Sequence, residues 1–123
     1  MEQVLDESRP IFMQIAERIE EDILAGRLPE EEQAPSTNQC AALYQINPAT
    51  AAKGVNLLVD QGILYKKRGM GMYVATGSRE RLLQKRRDHF SERYVAPMLN
   101  EALRLGISAE QVITMIQKGA AVP

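Results

Sequence analysis

Three consecutive cations, Lys66-Lys67-Arg68, run directly into Gly69-Met70-Gly71. Side by side, such charges repel one another and do nothing for the folding of a hairpin. Laid against a phosphate backbone, the same cluster releases condensed counterions and gains binding free energy. The glycines allow a tight turn and close backbone approach. The plainer reading is a charged tip that keeps an edge strand soluble. The elements that precede it favour DNA, so Lys66, Lys67, Arg68 and Gly69 are candidate contacts.

Two further sets of residues fit the same chemistry. Asn47, Ala49, Thr50 and Lys53 stand at the start of one predicted helix, with Asn56 further on. Asparagine and threonine can bond base edges or phosphates, and Lys53 can pair with phosphate. A solvated surface helix would carry the same residues, so this segment alone weighs evenly between the two. Ser36, Thr37 and Asn38 open another helix, whose first amides point toward an anion. Simple helix capping needs the same residues, and both uses can hold together.

Catalytic chemistry has no comparable support. His89 is the only histidine and Cys40 the only cysteine. His89 lacks a second histidine or a carboxylate pair at metal spacing, and Cys40 falls at a core position, as a small apolar residue does. There is no nucleophile with a base and no phosphate-binding glycine loop. An enzyme is not expected, nor is a cofactor or a metal.

The elements that must position these residues follow from length and pattern. The 123 residues suffice for one small domain, or for a domain with an appendage. Hydrophobic residues make up 45% and charged residues 25%, as in an ordinary globular protein. The net charge of -1 hides an uneven distribution. Up to Gly62 eleven acidic residues face four basic ones, whereas from Ile63 to Arg93 nine basic residues face three acidic ones. Such asymmetry hints at nucleic acid. A lone cysteine excludes an intrachain disulfide and fits a reducing compartment. No signal segment and no membrane-length apolar run is visible, so a cytoplasmic chain without a membrane partner is expected.

Ile11, Ile15, Ile19 and Ile23 recur every four residues and predict a first helix. Ser8 is its expected cap, Pro10 stands in its first turn, and Gly26 ends it. An acidic loop, Pro29 to Ala34, follows. Ser36 and Gln39 form a capping box for a short second helix, Thr37 to Tyr44, with Cys40, Ala41 and Leu43 available to the core. Asn47 and Pro48 open a third helix with Ala51, Val55, Leu58 and Val59 on its apolar side, and Gly62 stops it. Two helices joined this closely read as a helix-turn-helix. The period then falls to two, from Ile63 to Val74, as in a hairpin with the basic, glycine-rich tip. Together these elements predict a winged helix.

From about Arg79 to Leu105 a long helix is expected, kinked at Pro97, which lacks a donor and crowds the carbonyl of Arg93. Its run Arg79, Arg81, Lys85, Arg86 and Arg87 reads by default as a solvated face. Ser108 and Gln111 form a second capping box for a last helix with Val112, Ile113 and Ile116 on its apolar side. Leu83, Phe90, Tyr94, Met98, Leu99 and Ala102 form a stripe with few intrachain partners, and with Ile113 and Ile116 they are candidate homodimer contacts. The fold class is therefore α+β. Residues 1–77 are expected as a winged helix-turn-helix and 78–123 as a two-helix dimerisation tail.

The blocks Pro10-Ile11-Phe12-Met13-Gln14-Ile15, Gly26-Arg27-Leu28, Pro35-Ser36, Ile46-Asn47-Pro48-Ala49-Thr50-Ala51, Gly62-Ile63-Leu64 and Arg68-Gly69-Met70-Gly71-Met72-Tyr73-Val74 resemble the GntR family of bacterial regulators. The resemblance covers about residues 8–75. The short tail, with Pro97 and Leu105-Gly106-Ile107-Ser108, is similar to the YtrA subfamily and is too short for the larger ligand-binding domains of the FadR or HutC type. Many family members carry arginine where this chain has Asn38, and Ser/Thr-Arg where it has Asn47-Pro48. The Asn-Pro-x-Thr form is itself similar to YtrA-like sequences. The resemblance implies double-stranded DNA as partner, a homodimer on an inverted repeat, and control of the chain's own operon, often one for an ABC transporter. An unknown small-molecule effector stays open as a partner, although no polar constellation points to one. The rival reading is a winged-helix module for protein–protein interaction, supported by the acidic first half with Glu30-Glu31-Glu32.

Overall fold

A computed structural model describes residues 5–120 of the chain. Helix α1 (Ile11–Leu24) follows the isoleucine repeat, and Ile15, Ile19 and Ile23 are all buried. Its expected cap is not Ser8, whose N–H and hydroxyl both donate to Asp6 Oδ1 at 2.9 and 2.7 Å. Pro10 holds the N-cap position without a side-chain bond. Gln14 organises this end instead: Asp6 N–H donates to its Oε1 at 2.6 Å, and its Nε2 donates to the carbonyls of Asp6 and, at 3.1 Å, Arg9. Gln14 is buried, and these bonds supply the partners that a buried amide requires.

Helix α2 (Thr37–Tyr44) is closed by the expected capping box, Gln39 N–H to Ser36 Oγ at 3.0 Å and Ser36 N–H to Gln39 Oε1 at 2.8 Å. Cys40 and Ala41 are buried, but Leu43 is 53% exposed. At 100° per residue Leu43 stands well round from the line through Cys40, Ala41 and Tyr44, so it misses the core. Helix α3 (Pro48–Asp60) buries Ala51, Gly54, Val55 and Leu58. It ends in a Schellman motif, with Ile63 N–H to Leu58 O at 2.9 Å and Gly62 N–H to Val59 O at 3.0 Å. Gly62 stands at φ +74°, the left-handed geometry this motif needs.

Strands β1 (Leu64–Lys67) and β2 (Gly71–Val74) form the wing as an antiparallel hairpin, Leu64 opposite Val74 and Lys67 opposite Gly71. Leu64 and Val74 are buried at its base. Helix α4 (Ser78–Phe90) begins on this core: Ser78 Oγ donates to Ile63 O at 2.7 Å, and Leu82 is buried among the same side chains. The first of two compact units accordingly runs to Gln84, beyond Gly77.

The second unit starts at Lys85. A π-helical turn, Ser91–Val95, leads into α5 (Ala96–Arg104). Where a kink is expected at Pro97, the structure has one widened turn just ahead of the proline. A longer i→i+5 loop relieves the crowding that the ring imposes on the preceding turn. Helix α6 (Ala109–Ala120) opens on the second capping box, Gln111 N–H to Ser108 Oγ at 3.1 Å. Within this unit only Ala102 and Val112 are buried hydrophobics among the described residues.

Gly54 escapes a sequence reading that ranks residues by hydrophobicity. A Cβ there would stand 2.7 Å from the Phe12 carbonyl oxygen and 3.0 Å from Ile15 Cβ. Helices α1 and α3 therefore touch nearly backbone to backbone. Gly54→Ala should destabilise the fold by about 1–3 kcal/mol through overpacking, although alanine gains up to about 1 kcal/mol of helix propensity. Urea unfolding checks the sign; a stabilised variant would show that the two helices can part without cost.

Candidate nucleic-acid interface

Asn47 caps α3 from an extended backbone, its Oδ1 accepting from Ala49 N–H at 2.7 Å. Its carbonyl oxygen is engaged in that bond, which leaves the amide nitrogen to donate outward. Thr50 is half-buried, and its N–H bonds the Asn47 carbonyl at 3.0 Å. Ala49, Lys53 and Asn56 are exposed at i, i+4 and i+7, so they share one face of α3. Lys53 Nζ rests 4.1 Å from the centroid of the Phe12 ring, a cation–π contact that gives the long side chain a defined position. At the start of α2, Ser36 is engaged in its capping box, Thr37 is half-buried and Asn38 is exposed.

The wing presents Lys66, Lys67, Arg68 and Gly69, all exposed. Lys67 Nζ lies 4.4 Å from the centroid of Tyr73, which in turn neighbours Tyr65 at 6.1 Å between ring centres. A two-stranded hairpin alone is marginal in water. This one is braced by the segment expected as an acidic loop. Glu31 N–H donates to Val74 O at 2.8 Å, Val74 N–H to Glu32 O at 3.0 Å, and Ala34 N–H to Met72 O at 2.8 Å. Gln33 pairs with Tyr73 in an antiparallel bridge. The segment remains a loop, with Glu31 at φ +66°, but these bonds and one isolated bridge lay it along the outer edge of β2.

Two of its carboxylates bond within the fold. Glu31 accepts from Tyr65 Oη at 2.6 Å and from the N–H and hydroxyl of Thr76 at 3.1 and 2.5 Å. Glu30 accepts from Gly77 and Arg79 N–H at 3.0 and 3.2 Å, satisfying donors at the start of α4. The hydrogen bonds from Thr76 and Tyr65 hold the Glu31 carboxyl below its ordinary range, and the same bond pushes the Tyr65 phenol up. Backbone donors from Gly77 and Arg79 do likewise for Glu30. The basic run on α4 is partly engaged too. Arg79 Nε donates to Leu24 O at 3.3 Å and Arg81 Nη1 to Gly62 O at 2.6 Å, placing cations at the C-terminal ends of α1 and α3. The roles of Glu30, Glu31 and Gln33 left no local signal, since their partners lie 34 to 49 residues away along the chain.

The residues expected to pair subunits fall into three settings. Leu83 is half-buried in the first unit. In the second, Phe90, Tyr94, Met98, Leu99, Ile113 and Ile116 are exposed, and the Phe90 and Tyr94 rings stand 5.6 Å apart. Ala102 is buried within its own unit and lines, with Met98, Leu105, Val112 and Ile116, a groove of about 310 Å³ between α5 and α6.

A depressed carboxylate stabilises the fold fully above its ordinary pKa of 4.5, and that stability is lost as the pH falls through the lower folded value. The stability difference between the wild type and Glu31→Gln should therefore stay constant from pH 7 to about 4.5 and shrink below it. Urea unfolding at a series of pH values checks this; a difference that grows in acid would contradict the assigned bonds.

The model for bacterial regulatory proteins of the gntR family matches residues 12–74, from α1 to the end of the wing. The HTH-type transcriptional repressor NagR of Bacillus subtilis is 32% identical over 75 residues, 61% of this chain and 31% of NagR. The chain thus spans about a third of that relative's length. The HTH-type transcriptional repressor YtrA of Bacillus subtilis is 25% identical over 111 residues, 90% of this chain and 85% of YtrA. Among solved structures, a GntR-family transcriptional regulator from Bacteroides thetaiotaomicron superposes with a TM-score of 0.72 at 32% identity, covering 89% of this chain and 96% of that one. AraR(DBD), solved in complex with operator ORX1, matches at 29% identity and a TM-score of 0.52 over 61% of this chain and 92% of its own.

Proposed function

The chain belongs to the gntR family of bacterial regulatory proteins, and from that premise we propose that it represses transcription by holding an inverted-repeat operator as a homodimer. The observation that carries the reading is the exposed cluster Lys66-Lys67-Arg68 on a wing braced by the loop that bridges Gln33 to Tyr73. A braced tip brings its charges to phosphate already ordered, which lowers the entropy lost on binding. Helix α3 enters the major groove with its N-terminal turn toward the bases, as recognition helices do. Asn47, Thr50 and Lys53 then read bases or phosphates, Ala49 allows close approach, and Ser36 to Asn38 hold a backbone phosphate. Two copies place their α3 helices about one turn (~10 bp) or slightly more apart.

Residues 78–123 pair the subunits in this reading, with residues 1–77 on DNA. Two helices that bury so little apolar side chain between them leave a large apolar surface in water, and a second copy covers it. A repressor is favoured because NagR and YtrA both carry that description and because a small dimer over a promoter blocks polymerase simply. Its own operon is the expected target. The protein-interaction alternative drew on the acidic stretch, but Glu30 and Glu31 are engaged within the fold.

In a gel-shift titration with the duplex upstream of the chain's own gene, replacing Lys66, Lys67 and Arg68 by alanine should weaken binding across all sequences. The slope of log affinity against log salt should fall by about 0.9 for each phosphate that the variant leaves unneutralised. Unchanged affinity at every salt concentration would remove the wing from the interface. In sedimentation, the wild type should run as a dimer and Ile116→Asp at half its mass. A wild type that stays monomeric at all concentrations would refute the pairing.

A further inference from the structure

Gln33 lies outside every set of residues that reads DNA, yet its side chain reaches the tip of the wing. Its Nε2 donates to the Met70 carbonyl at 2.7 Å, in the turn that also carries Arg68 and Gly69. Gly71 leaves the room for it: a Cβ there would stand 2.9 Å from Gln33 Nε2. The backbone of Gln33 is meanwhile bridged to Tyr73, so the amide is delivered from a backbone fixed on the edge of β2. Ser36, which opens α2, follows three residues later. One short segment therefore connects two of the three candidate contact groups, the wing tip and the start of α2.

We propose that Gln33 is a positioning residue for DNA binding, setting the placement of the cationic wing tip relative to the N-terminus of α2. It touches no nucleic acid. The turn Arg68 to Met70 is closed by its own bond, Met70 N–H to Lys67 O at 2.9 Å, but that bond holds the tip only to the hairpin and not to the segment that leads into α2. The Gln33 amide binds the carbonyl on the far side of that turn from Lys67. Without it the cations still attract phosphate, but the tip must be ordered during binding and no longer meets the backbone in register with α2. The expected loss is about the weight of one hydrogen bond, roughly five- to tenfold in affinity. The inference rests on the DNA-binding reading above.

The test is a double-mutant cycle on the full chain, using the duplex upstream of its own gene and an unrelated duplex of equal length. Gln33→Ala should weaken binding to the upstream duplex about five- to tenfold while leaving the salt slope as in wild type, because the number of neutralised phosphates is kept. In the background of the Lys66, Lys67 and Arg68 alanine replacements, Gln33→Ala should have no further effect, because it acts only through the tip. A melting temperature measured alongside separates unfolding from misplacement. Wild-type affinity in the single variant would overturn the proposal, as would a loss that adds fully to that of the tip variant. If wild type itself does not bind the upstream duplex more tightly than the unrelated one, the DNA reading fails first, and visibly so.

Discussion

Helices α1 and α3 cross where Gly54 has no side chain, and the arrangement of the first unit depends on that contact. The Phe12 carbonyl lies where a Cβ would stand, so α3 settles onto α1 between Phe12 and Ile15. Val55 and Leu58 then reach the same core as Ile19 and Ile23, each of them almost fully buried. Burial of such side chains is worth about 1.5–3 kcal/mol apiece. The crossing also sets the outer face: with Ala51, Gly54, Val55 and Leu58 turned inward, Ala49, Lys53 and Asn56 must face out. Phe12, on the far side of the same crossing, is where Lys53 rests.

Five polar side chains of this unit join elements that are distant in sequence. Glu30 closes the start of α4, Glu31 ties Tyr65 to Thr76, and Gln33 holds the wing tip. Arg79 and Arg81 close the carbonyl ends of α1 and α3 in return. Glu30 and Glu31 of the acidic stretch, with Arg79 and Arg81 of the basic run, thus tie the winged helix together. Lys66 and Arg68 remain exposed at the tip, where the sequence places them without an adjacent carboxylate. The net charge of -1 is compatible with a cationic wing tip because Glu30 and Glu31 are engaged within the fold while Lys66 and Arg68 are exposed.

The second unit differs in kind. Its helix ends are well made, with a capping box at Ser108 and a Schellman closure at Gly106, where Ile107 N–H meets Ala102 O at 2.8 Å. Its core is small, and Phe90, Tyr94, Leu103, Ile113, Met115 and Ile116 are each more than half exposed. Local rules specify these helices; their packing among themselves leaves most of the apolar surface uncovered.

What the sequence determined by itself is whatever acts over one or two turns. The isoleucine repeat of α1, both capping boxes, Asn47-Pro48 opening α3, Gly62 and Gly106 at helix ends, and the hairpin with its basic tip all follow from interactions between near neighbours. Tertiary structure alone decided the rest. Ser8 is not the cap because α1 starts at Ile11 with Pro10 in the N-cap position, while Gln14 takes over the helix entrance. Leu43 faces outward because α2 lies against α3 on its Cys40 side. The acidic loop stays a loop but lies along β2 because that strand has an open edge beside it, and Gln33 acquires a partner 37 residues away. These outcomes depend on distances through space that have no counterpart along the chain, which is why pattern and propensity could place the cations of the wing but not the residue that holds them there.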